Sequence, residues 1–163
     1  MKKANRLTVP VTVHFEGKRS GFLKHLIDKN NFTKMIEVGI DTGKTTFYLL
    51  DNVPSITIYA IDTNIRKFYN EDVKKKYGNR LIPMQGLSYY VAEQIPDNSV
   101  DLIFIDADHS YESVKKDIIA YTPKLKEGGI LTGHDIDYPG VNKAVCELIE
   151  MFDVGPNYVW IKK

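Results

Sequence analysis

Short apolar runs alternate with amphipathic stretches along most of this chain. Five runs have the length of a strand: MIEVG (35–39), ITIYAI (56–61), LIPMQ (81–85), VDLIFI (100–105) and GILTG (129–133). The second and fourth are almost wholly apolar, the pattern of strands covered on both faces in a parallel sheet. Between the runs the spacing turns helical. Ile65, Phe68, Tyr69, Val73 and Tyr77 share one face, with Gly78 where a C-cap belongs. Tyr111, Val114, Ile118, Tyr121 and Leu125 make a second stripe behind Ser110, a good N-cap residue. Pro123 should shorten that helix and Gly128-Gly129 should end it. Val141, Val145, Leu148 and Phe152 make a third stripe, Phe47 to Leu50 a short helix that stops before Pro54, and residues 19–32 a leading helix. Strand and helix alternating five times predict an α/β fold, a doubly wound and mostly parallel sheet with helices on both faces. In FDVGPNYVWIKK, Gly155-Pro156-Asn157 is a turn signal between two short apolar runs, which predicts a C-terminal antiparallel hairpin at one sheet edge and seven strands in all.

Composition adds limits. The 163 residues suit one domain, with an N-terminal segment (1–32) and a core (33–163), and no repeat or low-complexity linker divides them. A chain of this size buries about 68–70% of its unfolded surface, so it folds without a disulfide or a structural metal. The 22 basic and 21 acidic residues leave a net charge of +1, which calls for neither a nucleic-acid nor a membrane partner. Cys146 is the only cysteine, so an internal disulfide and a multi-thiolate zinc site are excluded. The basic opening MKKANRLTVPVTV lacks the apolar core of about 7–15 residues that a signal peptide needs. No run reaches the roughly 18 apolar residues of a membrane span. A cytoplasmic protein is the expectation.

The first loop carries the first chemistry. EVGIDTGKTT (37–46) looks like a phosphate-binding loop, but that motif needs four residues between its glycine and Gly-Lys, and Ile40, Asp41 and Thr42 make three. Gly39 permits a tight turn and close approach of a ligand, Gly43 lets the next helix pack near the strand, and Glu37 is an acceptor nearby. Asp62 ends the second strand, 19 positions after Gly43. A carboxylate about 20 residues on from such a turn binds ribose hydroxyls; capping of the following helix is the plainer alternative. ATP is disfavoured by the short loop. NAD is disfavoured by Asp41, which replaces the glycine that admits a pyrophosphate and would repel it. S-adenosylmethionine has a ribose and an adenine but no phosphate, and its sulfonium tolerates an acidic loop.

On these residues the chain resembles the class I S-adenosylmethionine-dependent methyltransferases, whose fold is Rossmann-like. EVGIDTGKTT is similar to their acid-x-Gly first motif, and AIDTN to their ribose motif. The block QGLSYYVAEQIPDNSVDLIFIDADHSYESVKKDIIAYTPKLKEGGILTGHD resembles a branch of small-molecule and sugar O-methyltransferases with D-x-D-H-S-Y and Gly-His-Asp motifs. The resemblance covers about residues 33–163. It implies that Glu37, Gly39 and Gly43 surround the methionine part of the cofactor, that Asp62 takes the ribose, that Gly86, Leu87 and Ser88 lie beside the adenine, and that Asp106 faces the methyl-transfer site. Asp41 departs from the glycine that many relatives carry.

IDADHSY and TGHDID end adjacent predicted strands, so both clusters reach one rim. Divalent-metal-dependent catechol and caffeoyl-type relatives place carboxylates at the positions of Asp106 and Asp135 and an Asn just after. The resemblance thus implies Mg²⁺ on Asp106 and Asp135, although Ile136 stands in place of the Asn and leaves Asp108, His134 or Asp137 to complete the shell. His109 lies where those relatives carry a basic proton acceptor, and a histidine suits general-base work. The plainer readings are that Asp108 and Ser110 cap the next helix, and that His134 and Asp135 hold the loop before Pro139. The expected activity is methyl transfer to an oxygen of a small-molecule acceptor, held by rim loops and by a second copy of the chain in a homodimer. Two alternatives stand beside it. One is a nucleic-acid or amino-group methyltransferase, disfavoured by DADH where such enzymes carry an Asp/Asn-Pro-Pro-aromatic run. The other is a cofactor-binding module without catalysis.

Overall fold

A computed structural model describes residues 19–162, so the basic opening discussed above lies outside the described residues. Seven strands form one sheet: β1 (Lys34–Val38), β2 (Thr57–Asp62), β3 (Leu81–Gln85), β4 (Val100–Ile105), β5 (Leu125–Gly133), β6 (Phe152–Val154) and β7 (Trp160–Lys162). Their order is β3-β2-β1-β4-β5-β7-β6. The first five are parallel, while β7 runs antiparallel to both β5 and β6. This is the expected Rossmann-like sheet with its closing hairpin. The order reverses between β1 and β4, which opens a crevice at their carboxyl ends.

Helices cover both faces. α1 (Arg19–Asn30), α2 (Lys44–Asn52) and α3 (Glu71–Tyr77) lie on one, where Leu23, Ile27, Leu49 and Leu50 pack against Met35, Ile58 and Phe104. α4 (Ser88–Val91), α5 (Tyr111–Tyr121) and α6 (Pro139–Leu148) lie on the other, where Val114, Ile118, Val141 and Val145 meet Ile36, Ile103 and Ile105. β4 shows why its run is nearly continuous in apolar residues. Alternate side chains enter opposite cores, and Leu102, Ile103 and Phe104 are fully buried.

Three helix expectations change at their ends. The stripe from Ile65 to Tyr77 is not one helix: a single 3₁₀ turn (Ile65–Lys67) precedes α3. Asn70 interrupts it, accepting from the Val73 N–H at 3.0 Å and capping a first turn that carries Glu71 and Asp72. Cap and dipole together outweigh the apolar spacing there. α5 stops at Tyr121 and passes through a 3₁₀ turn at Pro123, so Leu125 starts β5 and the Gly128-Gly129 pair lies within that strand rather than at a helix end. The pairing of β4 with β5 shifts register there, and Gly128 takes φ +78°. Phe152 belongs to β6, not to the last helix, which ends at Leu148.

Candidate active site

The loops after β1 to β4 enclose a groove of about 430 Å³, whose wall includes Gly39, Asp41, Asp62, Gly86, Leu87, Ser88, Asp106 and Asp117. Five of the residues picked out for cofactor contact therefore meet in one cavity together with Asp106. Glu37 and Gly43 do not line it.

Gly39 has φ +87°, and a Cβ there would fall 2.2 Å from the Asp106 carbonyl oxygen. Its smallness serves the close approach of the β1 and β4 loops. Gly43, at φ +82°, begins α2 without a side-chain cap, and a Cβ on it would strike the Phe47 ring at 2.5 Å. Lys44 is exposed in the first turn of α2, away from any phosphate role.

Asp62 is held by the loop it faces. One oxygen accepts from the Ile40 and Asp41 N–H groups at 2.9 and 3.0 Å, the other from the Asn64 N–H at 2.9 Å. Burial pushes its pKa up, but the three backbone donors outweigh burial and keep it below the usual carboxylate value. Asp62 thus ties the first loop to β2, and its outer oxygen keeps room for one more donor from the groove.

Glu37 sits behind the groove, 2% exposed, and accepts from Thr46 Oγ1 at 2.6 Å. Burial raises its pKa to about 8 against that hydrogen bond, and Asp106 adds to the rise. The glutamate is thus largely protonated at neutral pH.

Across the groove, Ser88 meets two residues of α5 that the sequence reading did not place in the site. Asp117 of α5 accepts from Ser88 Oγ, and Tyr121 Oη donates to the Ser88 carbonyl at 2.7 Å. The signal was present: Val114, Asp117, Ile118 and Tyr121 share a helical face, and one of the four is an acid.

The rim gathers the second cluster. His109 Nε2 lies 2.7 Å from Asp135 Oδ2, and His134 Nδ1 lies 2.8 Å from Asp135 Oδ1. Asp135 adopts φ +57° to reach both rings. His134 Nδ1 is also 3.5 Å from Asp106, whose other oxygen pairs with Arg19 Nη1 at 2.7 Å. Burial alone would lower the His134 pKa, but Asp106 and Asp135 together raise it above its ordinary value. His134 Nε2 faces the Asn157 side-chain amide at 3.0 Å, which can turn over to suit either ring state. Tyr138 packs on the His109 ring with centroids 4.5 Å apart. Arg19 and Asn157 were not foreseen, and nothing local marks them, because they come from α1 and from the hairpin turn. Asp108 accepts from Ser110 N–H, Ser110 Oγ and Ser113 Oγ, which bears out its plainer role at the start of α5.

Ligand atoms of Asp106, His134 and Asp135 lie within 4.8 Å of one another and could hold a cation. The donor set fits a divalent ion once Arg19, the cation now on Asp106, gives way. For such an ion Asp135 would supply the second carboxylate of the expected pair and His134 would take the place left by Ile136, which is buried.

A doubly wound sheet, a nucleoside-sized groove at its switch point and an acid-histidine rim beside it define a Rossmann-like domain of the methyltransferase type. The methyltransferase domain family matches residues 36–136, and the chain belongs to that family, which implies S-adenosylmethionine as cofactor. Among curated relatives, the uncharacterized protein R132 of Acanthamoeba polyphaga mimivirus is 26% identical over an alignment 145 residues long, which covers 77% of this chain and 65% of that protein. This chain thus spans just under two thirds of that relative. Two solved structures share the fold. A Staphylococcus aureus protein with the provisional name caffeoyl-CoA O-methyltransferase superposes with TM-score 0.75 at 21% identity, covering 94% of this chain and 86% of that one. The Podospora anserina methyltransferase PaMTH1, bound to S-adenosylhomocysteine, superposes with TM-score 0.70 at 14% identity, covering 88% and 77%.

Proposed function

We propose that the protein transfers a methyl group from S-adenosylmethionine to a hydroxyl oxygen of a small molecule or sugar. The observation that carries this reading is the link between the groove and the Asp135–His109 pair: Asp106, a wall residue of the groove, reaches His134, which in turn reaches Asp135. The name of the Staphylococcus aureus neighbour points to the same reaction class.

Asp62 binds a ribose hydroxyl with its outer oxygen, while Gly86, Leu87 and Ser88 flank the adenine. Gly39 keeps the first loop low enough for the methionine part to pass, and Glu37 and Gly43 shape that loop from behind. S-adenosylmethionine, when bound, would supply an electrophilic methyl for in-line transfer to the acceptor oxygen, with S-adenosylhomocysteine as the leaving group. Asp135 holds His109 by Nε2, which leaves Nδ1 as the base for the acceptor proton. Asp106 lies between groove and rim, where it can orient the acceptor hydroxyl. Tyr138, 48% exposed, offers apolar surface beside this base. A divalent cation on Asp106, His134 and Asp135 would acidify the acceptor hydroxyl. The acceptor is met by these rim loops, and a second copy of the chain is the proposed partner that completes the pocket.

Calorimetry with S-adenosylmethionine tests the cofactor, and turnover of hydroxylated acceptors with and without Mg²⁺ tests the reaction. Binding is expected, and Asp62→Ala should weaken it about tenfold or more. Tight binding without turnover on any hydroxylated acceptor would favour the non-catalytic module instead.

A further inference from the structure

On α5, Val114, Asp117, Ile118 and Tyr121 all turn into the molecule, and Asp117 is 1% exposed. A carboxylate in such a stripe is costly unless it is partnered. Among the described residues its hydrogen-bond partner is Ser88 Oγ, which donates to Oδ1. Burial pushes its pKa up to about 6 despite that bond. Ser88 does not depend on Asp117 for its position, because Tyr121 already holds its carbonyl at 2.7 Å. The remaining oxygen, Oδ2, is left for the groove whose wall Asp117 helps to form.

The backbone shows which part of a ligand meets it. β2 and β3 are neighbours with Asp62 opposite Gln85, and the Gly86 N–H donates to the Asp62 carbonyl at 3.1 Å. A nucleoside whose ribose is held at Asp62 therefore extends its base past Gly86 toward Ser88. Ser88 Oγ is bonded to Asp117, which places that carboxylate in the wall at this end of the groove. With Ser88 on one oxygen, the carboxylate offers an acceptor to the base edge.

We propose that Asp117 reads the base, its Oδ2 accepting a hydrogen bond from the exocyclic amino group of adenine. This rests on the S-adenosylmethionine reading of the groove. Hypoxanthine carries a carbonyl oxygen at the same ring position, and two acceptors facing each other lose the bond and repel.

The test is calorimetry on the full chain with S-adenosylhomocysteine and with its deaminated form, in which hypoxanthine replaces adenine. The wild type should prefer the adenine ligand by about 10- to 100-fold. Asp117→Asn, which keeps an acceptor for Ser88 and turns an N–H₂ donor toward the groove, should shrink that preference at least about tenfold or invert it. A wild type that binds both ligands within threefold overturns the proposal, and needs no folded variant to do so. An Asn variant that loses affinity for both ligands equally, with the preference intact, also overturns it and assigns Asp117 a structural role. Failure of the wild type to bind either ligand removes the cofactor reading and this assignment together. Binding without preference removes the assignment alone.

Discussion

At the scale of single residues the groove and rim are governed by where charges are placed. Glu37 is buried with a pKa near 8 where its ordinary value is 4.5. Between these values the folded state binds a proton that the unfolded chain has lost. The stabilising effect is full below pH 4.5 and disappears as pH rises through 8, at up to about 1.4 kcal/mol per pH unit. Glu37→Gln, which cannot ionise, should flatten denaturant stability across that window and raise it at pH 8 relative to the wild type; identical pH profiles would sink the assignment. Arg19 is the cation that Asp106 holds now. Arg19→Gln should tighten Mn²⁺ binding followed by electron paramagnetic resonance, because the ion no longer competes with a guanidinium for Asp106. Unchanged Mn²⁺ affinity would mean that Asp106 is not a ligand. Residues of this kind were unequally legible. Asp62, Asp106, His109 and Asp135 sit at strand ends, where strand-helix alternation marks them. Arg19 and Asn157 reach His134 from 115 and 23 positions away, and no local pattern encodes such a meeting.

At the scale of elements, the first four strands were legible to within a residue because two-sided burial leaves runs that nothing else in the chain imitates, whereas β5 starts at Leu125, four residues before the GILTG run. β3 and β4 span the same residues as LIPMQ and VDLIFI. Helix ends were less so. Asn70 and Pro123 act through local hydrogen bonding and ring geometry, and these break apolar stripes that periodicity alone would continue. The glycines of the first loop show a further difference: their spacing suggested space for a ligand, whereas Gly39 also admits the close approach of the loop after β4. Gly39→Ala would force its methyl into the Asp106 backbone at positive φ, and should cost about 3 kcal/mol or more by chemical denaturation. A loss under about 1 kcal/mol would show that β1 and β4 can part without strain.

At the scale of the whole molecule, the sheet is completed by a hairpin that does more than cover an edge. Trp160 of β7 is fully buried over Gly133, where a Cβ would lie 2.5 Å from its ring. Two residues further into the chain from Tyr158, whose carbonyl accepts from Ile136 N–H, this strand anchors the turn that brings Asn157 to His134. Trp160→Ala should cost about 3–5 kcal/mol of stability. At temperatures where the variant is still folded, it should also shift the His134 imidazole resonances in NMR while leaving those of His25 in place. The groove is drawn from residues 38 to 117, but the rim also needs Arg19 and Asn157. The two halves of the site therefore differ in how far along the chain their closing contacts reach, and hence in the loop entropy each must overcome. Opening of the hairpin alone would release His134 and Ile136 from Asn157 and Tyr158, loosening the proposed proton-handling rim, and spare the groove. In hydrogen exchange the Ile136 amide should exchange sooner than the Gly39 amide, which bonds within the central strands. On the proposed reading, the molecule would then pass through a state that still holds its cofactor while the rim beside it is loosened.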